Sequence, residues 1–350
     1  MSTTRVAVNG YGVIGKRVAD AVKLQPDMEL VGIADVATDW RIRAAAGRAP
    51  LFGATAEAAD GMRGVGLDVA GTLEDLIDEI DLVVDTTPKH VAAGNIESYR
   101  QAGVKFVLQG GESHETTGHS FVAQANYDSA LGRESTRVVS CNTTSIVRVL
   151  GALRDAGLLA SARGVLIRRA TDPWESHLGG IMNTMVPEAT IPSHQGPDAQ
   201  TVLPDLDLVT IAAKGAHTQT HNHYWTIRLT REASRAEVLD AFRAAPRIAF
   251  IRMSDGLVAL NSTIELMRDL GRPRGDMWEV ALWEDLITVV GDEVYLTYQV
   301  FNESIVVPET IDAIRALTRS APDAATSMRI TDATLGMRRD FLNPPPGQPE

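Results

Sequence analysis

One cysteine stands in the 350 residues, Cys141, within Val138-Val139-Ser140-Cys141-Asn142-Thr143-Thr144. Here an apolar, strand-like run gives way to helix-like spacing. A thiol at a helix N-terminus meets the positive end of the helix dipole, which lowers its pKa and favours the nucleophilic thiolate. The polar neighbours Ser140, Asn142 and Thr143 argue against an apolar burial site. A single cysteine also excludes intramolecular disulfides and cysteine-based metal clusters. Such a nucleophile needs a base. His217, His221 and His223 lie in Ala216–His223, which enters the run Tyr224–Leu229. Alternate residues of an extended chain share a face, so His217, Gln219, His221 and His223 are expected to form one polar wall. Three readings stay open for it: a general base, a zinc site short of further ligands, or a solvated sheet face.

A second chemical feature lies at the start. Gly10-Tyr11-Gly12-Val13-Ile14-Gly15 follows the strand-like Arg5–Asn9 and precedes helical spacing at Ile14, Val18, Ala21 and Val22. This G-x-G-x-x-G in strand–turn–helix context is a dinucleotide fingerprint. Gly10 permits the turn, Gly12 admits a pyrophosphate, Gly15 allows close packing, and the helix start favours anionic charge. Asp35 ends the second strand, where a carboxylate accepts adenosine ribose hydroxyls and disfavours a 2′-phosphate, so NAD is expected, with NADP as the second choice. A thiol nucleophile beside a nicotinamide suggests oxidation of an aldehyde through a thiohemiacetal and a thioester. Arg168-Arg169 is read either as an anion clamp or as surface pairing. The turn-rich Pro192–Asp198, with His194, Gln195 and Gly196, is read as a substrate-contact loop or a connector.

These groups must be held by elements. Arg5–Asn9, Glu29–Ala34, Asp81–Asp85 and Val104–Leu108 read as strands, and Val91–Gln101 as a helix between two of them. Strands separated by helix-length segments imply a parallel, doubly wound sheet. Lys16, Arg17 and Asp20 mark the expected polar face of the first helix. Thr136–Ser140 is a further strand, followed by a helix with Ile146, Val149, Leu150 and Leu153 on one face. Longer strand-like stretches then follow: Gly164–Arg168, Val209–Ala213, Tyr224–Leu229, Leu286–Val290 and Glu293–Val300, the last two flanking the hairpin signal Gly291-Asp292. The reading is an α/β fold, a Rossmann-type doubly wound parallel sheet with an inserted α+β, mainly antiparallel catalytic domain. Residues 1–139 plus about 304–337 form the dinucleotide-binding domain, 140–303 the catalytic domain, and 338–350 a frayed tail. Thirty-three basic and 45 acidic residues give a charge of −12, which disfavours nucleic acid and anionic membrane as partners. No apolar run reaches the ~18–20 residues of a membrane span. With no signal-peptide pattern either, a cytoplasmic protein is expected.

The sequence resembles the archaeal-type phosphorylating glyceraldehyde-3-phosphate dehydrogenases from about residue 4 to 337. The resemblance rests on Asn9–Val22, Leu108–Glu112, Arg137–Thr144, Arg168–Pro173, Pro192–Asp198 and Glu303–Ala316 in that order. It implies that the Cys141 thiolate attacks glyceraldehyde 3-phosphate, with His221, the first His of an H-x-H pair, as base, and that inorganic phosphate cleaves the thioester. It implies cofactor contacts at Val13, Ile14, Gly111, Arg169 and Asn302, and substrate contacts at Ser140, Asn142, Thr143, His194, Gln195 and Gly196. It further implies a homotetramer. The chain departs from the family at Ser145 and Val147, which stand where the family has Gly and a second Cys. Gln195 replaces a His, and Asn302 replaces a Gln. A non-phosphorylating dehydrogenase of another small aldehyde, and a catalytically silent NAD-binding sensor, are the alternatives.

Overall fold

The computed structural model describes residues 3–109, 111–172 and 184–342. Pro173 of the Arg168–Pro173 motif, Gly110 and the tail 343–350 lie outside them. The chain divides into two compact units, Met1–Val139 with Val306–Gly336, and Ser140–Ile305 with Met337–Glu350.

The first unit is built on the strands β1 (Thr4–Asn9), β2 (Met28–Asp35), β3 (Leu51–Gly53), β4 (Gly71–Thr72), β5 (Leu82–Asp85), β6 (Lys105–Leu108), β7 (Ser120–Phe121) and β8 (Ser135–Val138). Their order is β4-β3-β2-β1-β5-β6-β8-β7, with every pairing parallel. Val6, Ala7 and Val8 of β1 and Leu82, Val83 and Val84 of β5 are fully buried. Such unbroken apolar runs belong to strands covered on both faces. The strand order reverses between β1 and β5, so their carboxyl ends open the crevice where ligands bind in such sheets. Helices α1 (Gly15–Lys23), α2 (Trp40–Arg43), α3 (Ala56–Gly64), α4 (Leu73–Ile77), α5 (Val91–Gln101), α6 (His114–Thr117) and α7 (Ala123–Ala130) connect the strands. Arg17 does not share the half-buried face of α1 with Lys16 and Asp20. It is buried and donates to Val13 O at 2.6 Å, tightening the turn before the helix.

The second unit begins with α8 (Cys141–Asp155), followed by β9 (Leu159–Arg168), β10 (Val186–Pro187), α9 (Gln195–Gln200), β11 (Leu208–Lys214) and β12 (His221–Leu229). After these come α10 (Arg235–Ala244), β13 (Ile248–Ile251), α11 (Leu260–Asp269), β14 (Val280–Trp283), β15 (Thr288–Val290) and β16 (Glu293–Val300). The sheet runs β10-β11-β9-β12-β16-β14-β13, with β15 pairing β16. It is mixed: β11/β9 and β13/β14 are parallel and the other pairings antiparallel. Gly164 sits opposite Trp225, and a Cβ there would come within 2.6 Å of the indole. Only glycine lets that ring lie flat on β9. Two last helices, α12 (Val306–Thr318) and α13 (Ala324–Thr334), belong to the first unit, where buried Arg315 grips Asp27 at 2.7 and 2.8 Å. Residues 338–342, expected to fray, are instead packed in the second unit. Phe341 is buried, Arg338 N donates to Glu279, and Asp340 pairs with Arg252.

Among the described residues no helix is long and apolar enough to cross a membrane.

Candidate active site

Cys141 is the first residue of α8. Ser140 caps the helix: its extended backbone turns the chain, and its Oγ accepts the Thr143 N–H at 3.3 Å. Thr143 Oγ1 donates to Asp198 Oδ2 at 2.7 Å, fastening the helix start to α9. Cys141 Sγ lies 3.4 Å from His221 Nε2. His221 opens β12 and is buried, and its Nδ1 accepts the backbone N–H of Arg169 at 3.0 Å. The thiol and the imidazole therefore face one another, the ring held from behind by a backbone amide.

The expected four-residue wall does not form. Thr220 has φ +58°, which breaks the extended chain, and the strand begins only at His221. Only His221 and His223 share a face, and it points inward rather than to solvent. His223 is completely buried, its Nδ1 2.8 Å from Tyr298 OH and its Nε2 2.8 Å from Asn142 Oδ1. His217 lies in the preceding loop, where its carbonyl accepts the Ala170 N–H at 2.7 Å. The solvated-face reading fails for the pair. Among the described residues no three His, Cys, Asp or Glu side chains are grouped to hold a metal ion.

The electrostatics also correct an expectation. Burial pushes the Cys141 thiol up, against the pull of the Arg169 and Arg168 charges and the Asn142 N–H, while Glu303 adds to the push. Cys141 is half-buried, and its desolvation outweighs the two guanidinium charges and the Asn142 N–H. Burial, followed by the charges of Arg169, His223, Arg168 and His217, holds His221 well below 6.5. Burial and Arg168 bring His223 down to about 3. Both directions favour a neutral thiol beside a neutral imidazole.

The other substrate candidates divide. Asn142 and Thr143 are buried and engaged internally, so their polarity serves the helix start and its neighbours. His194 is exposed and lies 2.6 Å from Glu188, and Glu188 also binds Arg168 at 2.9 Å. Gln195 is buried, its Nε2 3.1 Å from His194 Nε2 and its Oε1 without a partner. Gly196 N donates to Thr210 Oγ1. Arg168 Nε, Arg169 Nε, Asn302 Oδ1 and both Glu303 carboxylate oxygens are likewise buried and unpartnered. The sequence reading missed Asp198, Glu188, Tyr298 and Glu303. Asp198 and Glu303 stand inside the quoted motifs, but Glu188 and Tyr298 carry no local signal.

The first unit holds the glycine turn. Gly10 has φ +91°, and a Cβ there would lie 3.1 Å from the Thr86 backbone. A Cβ on Gly15 would come within 1.9 Å of Gly10 O, whereas one on Gly12 would meet nothing within 4 Å. Two glycines are thus demanded by packing and the third leaves an open side, as a cradle for a pyrophosphate requires. Val13 and Ile14 lead into α1, with Ile14 at its N-cap. Asp35 accepts the N–H groups of Tyr11 and Ala37, which ties the acid to the glycine turn. Gly111 is exposed with φ +83°. Thr86 Oγ1, another residue the sequence reading missed, donates to Gly10 O at 2.6 Å.

Comparison with known proteins agrees with this geometry. Residues 140–270 match the family described as glyceraldehyde 3-phosphate dehydrogenase, C-terminal domain, and residues 4–142 the one described as dihydrodipicolinate reductase, N-terminus. The chain is 43% identical to a glyceraldehyde-3-phosphate dehydrogenase of Methanococcoides burtonii, covering 96% of this chain and 100% of that one. It is 49% identical to one from Pyrobaculum calidifontis, over 89% of this chain and 91% of the other. Aspartate semialdehyde dehydrogenase II from Vibrio cholerae shares the fold at 11% identity, with a TM-score of 0.67 over 91% of this chain and 99% of that one. With identity at this level along nearly the whole chain, and a cysteine and a histidine facing one another at the head of the matched C-terminal domain, the chain belongs to the glyceraldehyde-3-phosphate dehydrogenase family of oxidoreductases.

Proposed function

We propose that the chain catalyses the phosphorylating oxidation of D-glyceraldehyde 3-phosphate to 1,3-bisphosphoglycerate with a nicotinamide dinucleotide, NAD in preference to NADP. The observation that carries this reading is Cys141 Sγ at 3.4 Å from His221 Nε2 at the capped start of α8. The relatives named above supply the substrate class. Residues 1–139 plus about 304–337 are read as the dinucleotide-binding domain and 140–303 as the catalytic domain.

The chain's own groups have distinct tasks in this reading. The Gly10–Gly15 turn and the start of α1 receive the pyrophosphate, and Asp35 the ribose, with Gly111, Arg169 and Asn302 as further contacts. When bound, the nicotinamide supplies the hydride acceptor. Cys141 adds to the aldehyde as thiolate, giving a thiohemiacetal and, after oxidation, a thioester. His221, with Nε2 3.4 Å from the sulfur, acts as the base. Arg168 and Arg169, whose buried Nε–H groups lack partners, are suited to the substrate phosphate and the attacking inorganic phosphate. Ser140, His194, Gln195 and Gly196 complete the substrate side. Asn142 and Thr143 act from behind it.

A cytoplasmic homotetramer goes with this reading. In the second sheet Ile211, Val165 and Tyr224 sit side by side on β11, β9 and β12, exposed by 45%, 43% and 50%. An exposed apolar row of this kind suits an interface between copies of the chain.

The test is NADH formation from glyceraldehyde 3-phosphate with and without inorganic phosphate. Turnover that requires phosphate and vanishes in Cys141→Ser is expected. Equal turnover without phosphate would move the assignment to the non-phosphorylating alternative.

A further inference from the structure

Glu303 follows the end of β16 and is only 2% exposed, yet neither of its carboxylate oxygens has a hydrogen-bond partner among the described residues. Burial without a bond is costly, and a carboxylate only accepts, so the missing partner is a donor from outside the fold.

The backbone around Glu303 is held on every side. After β16 the chain turns through Phe301–Ile305, with Ser304 N and Ile305 N donating to Phe301 O at 3.2 and 3.1 Å. Ser304 Oγ donates to Met277 O at 2.7 Å and accepts the Met277 N–H at 3.2 Å. Arg148 of α8 donates to Ile305 O at 3.2 Å. Val300, the last residue of β16, pairs with His221. The turn is thus tied to both elements that carry the reactive pair, α8 and β12. Desolvation and then Glu303 push the Cys141 thiol up, so the carboxylate acts on the sulfur itself. Neither guanidinium beside the sulfur takes the carboxylate: Arg168 is paired with Glu188, and Arg169 with Asp172.

We propose that Glu303 is a specificity-determining residue whose carboxylate accepts the hydrogen bond of the substrate's C2 hydroxyl. The proposal rests on the reading of glyceraldehyde 3-phosphate as substrate and of Cys141 as nucleophile. That reaction brings three kinds of donor to the site. The amide NH2 of a nicotinamide suits the neighbouring Asn302 Oδ1, which is also buried and unpartnered. A hydrogen phosphate carries a proton, but its negative charge is repelled by a carboxylate and suits the unpartnered Nε–H groups of Arg168 and Arg169. The C2 hydroxyl is neutral, and its carbon is bonded to the one that the sulfur attacks. It is the donor that remains. With C1 at Cys141 and the substrate phosphate at an arginine, a third fixed contact at C2 tells the D aldehyde from the L.

Substrate comparison tests this. NADH formation is measured with D-glyceraldehyde 3-phosphate, with its L enantiomer and with 3-oxopropyl phosphate, which lacks the C2 hydroxyl. The parent should prefer the D aldehyde to 3-oxopropyl phosphate by about 10–10²-fold in kcat/KM, as a hydrogen bond to a carboxylate supplies. Glu303→Ala should lose that preference, and the preference for D over L with it, by lowering kcat/KM for the D aldehyde more than for the other two. Glu303→Gln keeps one acceptor oxygen and should retain part of both preferences. It should also melt no lower than the parent, since no bond within the protein is lost. If Glu303→Ala lowers all three aldehydes alike, or Glu303→Gln melts several degrees lower, the carboxylate serves the sulfur or the fold, and the proposal is overturned. A parent that oxidises none of the three in the presence of phosphate would instead remove the substrate reading, and this proposal with it.

Discussion

Replacing His223 by Asn separates an anchoring role from a substrate-binding one. The ring is wholly buried and spans from Tyr298 OH to Asn142 Oδ1, each at 2.8 Å. An Asn amide reaches about as far as the near side of the ring, so it can keep Tyr298 but not Asn142. Asn142 Oδ1 would then be left in a side chain only 3% exposed. A buried acceptor stripped of its partner costs about 1–3 kcal/mol. For a protein of this size each kcal/mol lowers Tm by roughly 2–4 °C. His223→Asn should therefore melt several degrees below the parent.

Asn142 directly follows Cys141, so any loss of turnover should pass through it. A double-mutant cycle with Asn142→Ala, read by both unfolding and kcat/KM, should show coupling of about 0.5–3 kcal/mol in stability. The kinetic losses should be far from additive. A substrate-binding histidine would instead raise KM and leave the melting temperature unchanged. If His223→Asn raises KM, melts with the parent and adds independently to Asn142→Ala, the anchoring argument is refuted.

Other outcomes follow from the same geometry. His223, with its pKa depressed to about 3 by burial and the Arg168 charge, stays neutral in the fold, while the unfolded chain protonates it below about 6.5. Its contribution is thus complete above about 6.5 and is lost as pH falls from there toward 3. Urea titrations across that range should show stability falling with acid, and less steeply in His223→Asn. Iodoacetamide should label Cys141 slowly at neutral pH and faster as pH rises, because burial raises the thiol; fast labelling with a plateau at acid pH would contradict this. NAD should exceed NADP in kcat/KM, since the Asp35 carboxylate stands at the end of β2 and Arg41 is already engaged by Asp39; a clear NADP preference counts against that. Tyr224→Lys should lower the oligomeric state seen by light scattering if the apolar row is an interface, and leave it unchanged if it is not.

Much of the first unit was legible because its signals are local. The run of β1, the glycines at fixed spacing and Asp35 lie within about one βαβ length, and each has a mechanical reason to be what it is. Helix α5 falls on the residues that its composition suggested. Strands β3, β4 and β7, of two or three residues, are too short to show any alternation. β13 and β14 are short buried runs, which periodicity cannot tell from helix. Cys141 stood out as a candidate from its strand-to-helix junction, and His221 through family resemblance more than through its own surroundings.

What could not be read was the inside of the site. Alternation predicted a four-residue face from His217 to His223, but one left-handed residue, Thr220, decides where the strand begins. The polarity of Ser140, Asn142 and Thr143 suggested an open, wet helix start. Asn142 and Thr143 are buried and Ser140 is half-buried, and their polar groups meet His223, Asp198 and the Thr143 N–H. Polarity beside a thiol therefore does not measure its exposure, because buried polar groups survive wherever partners exist. The helix-terminus argument is sound for an exposed thiol; here desolvation of the half-buried sulfur pulls the other way.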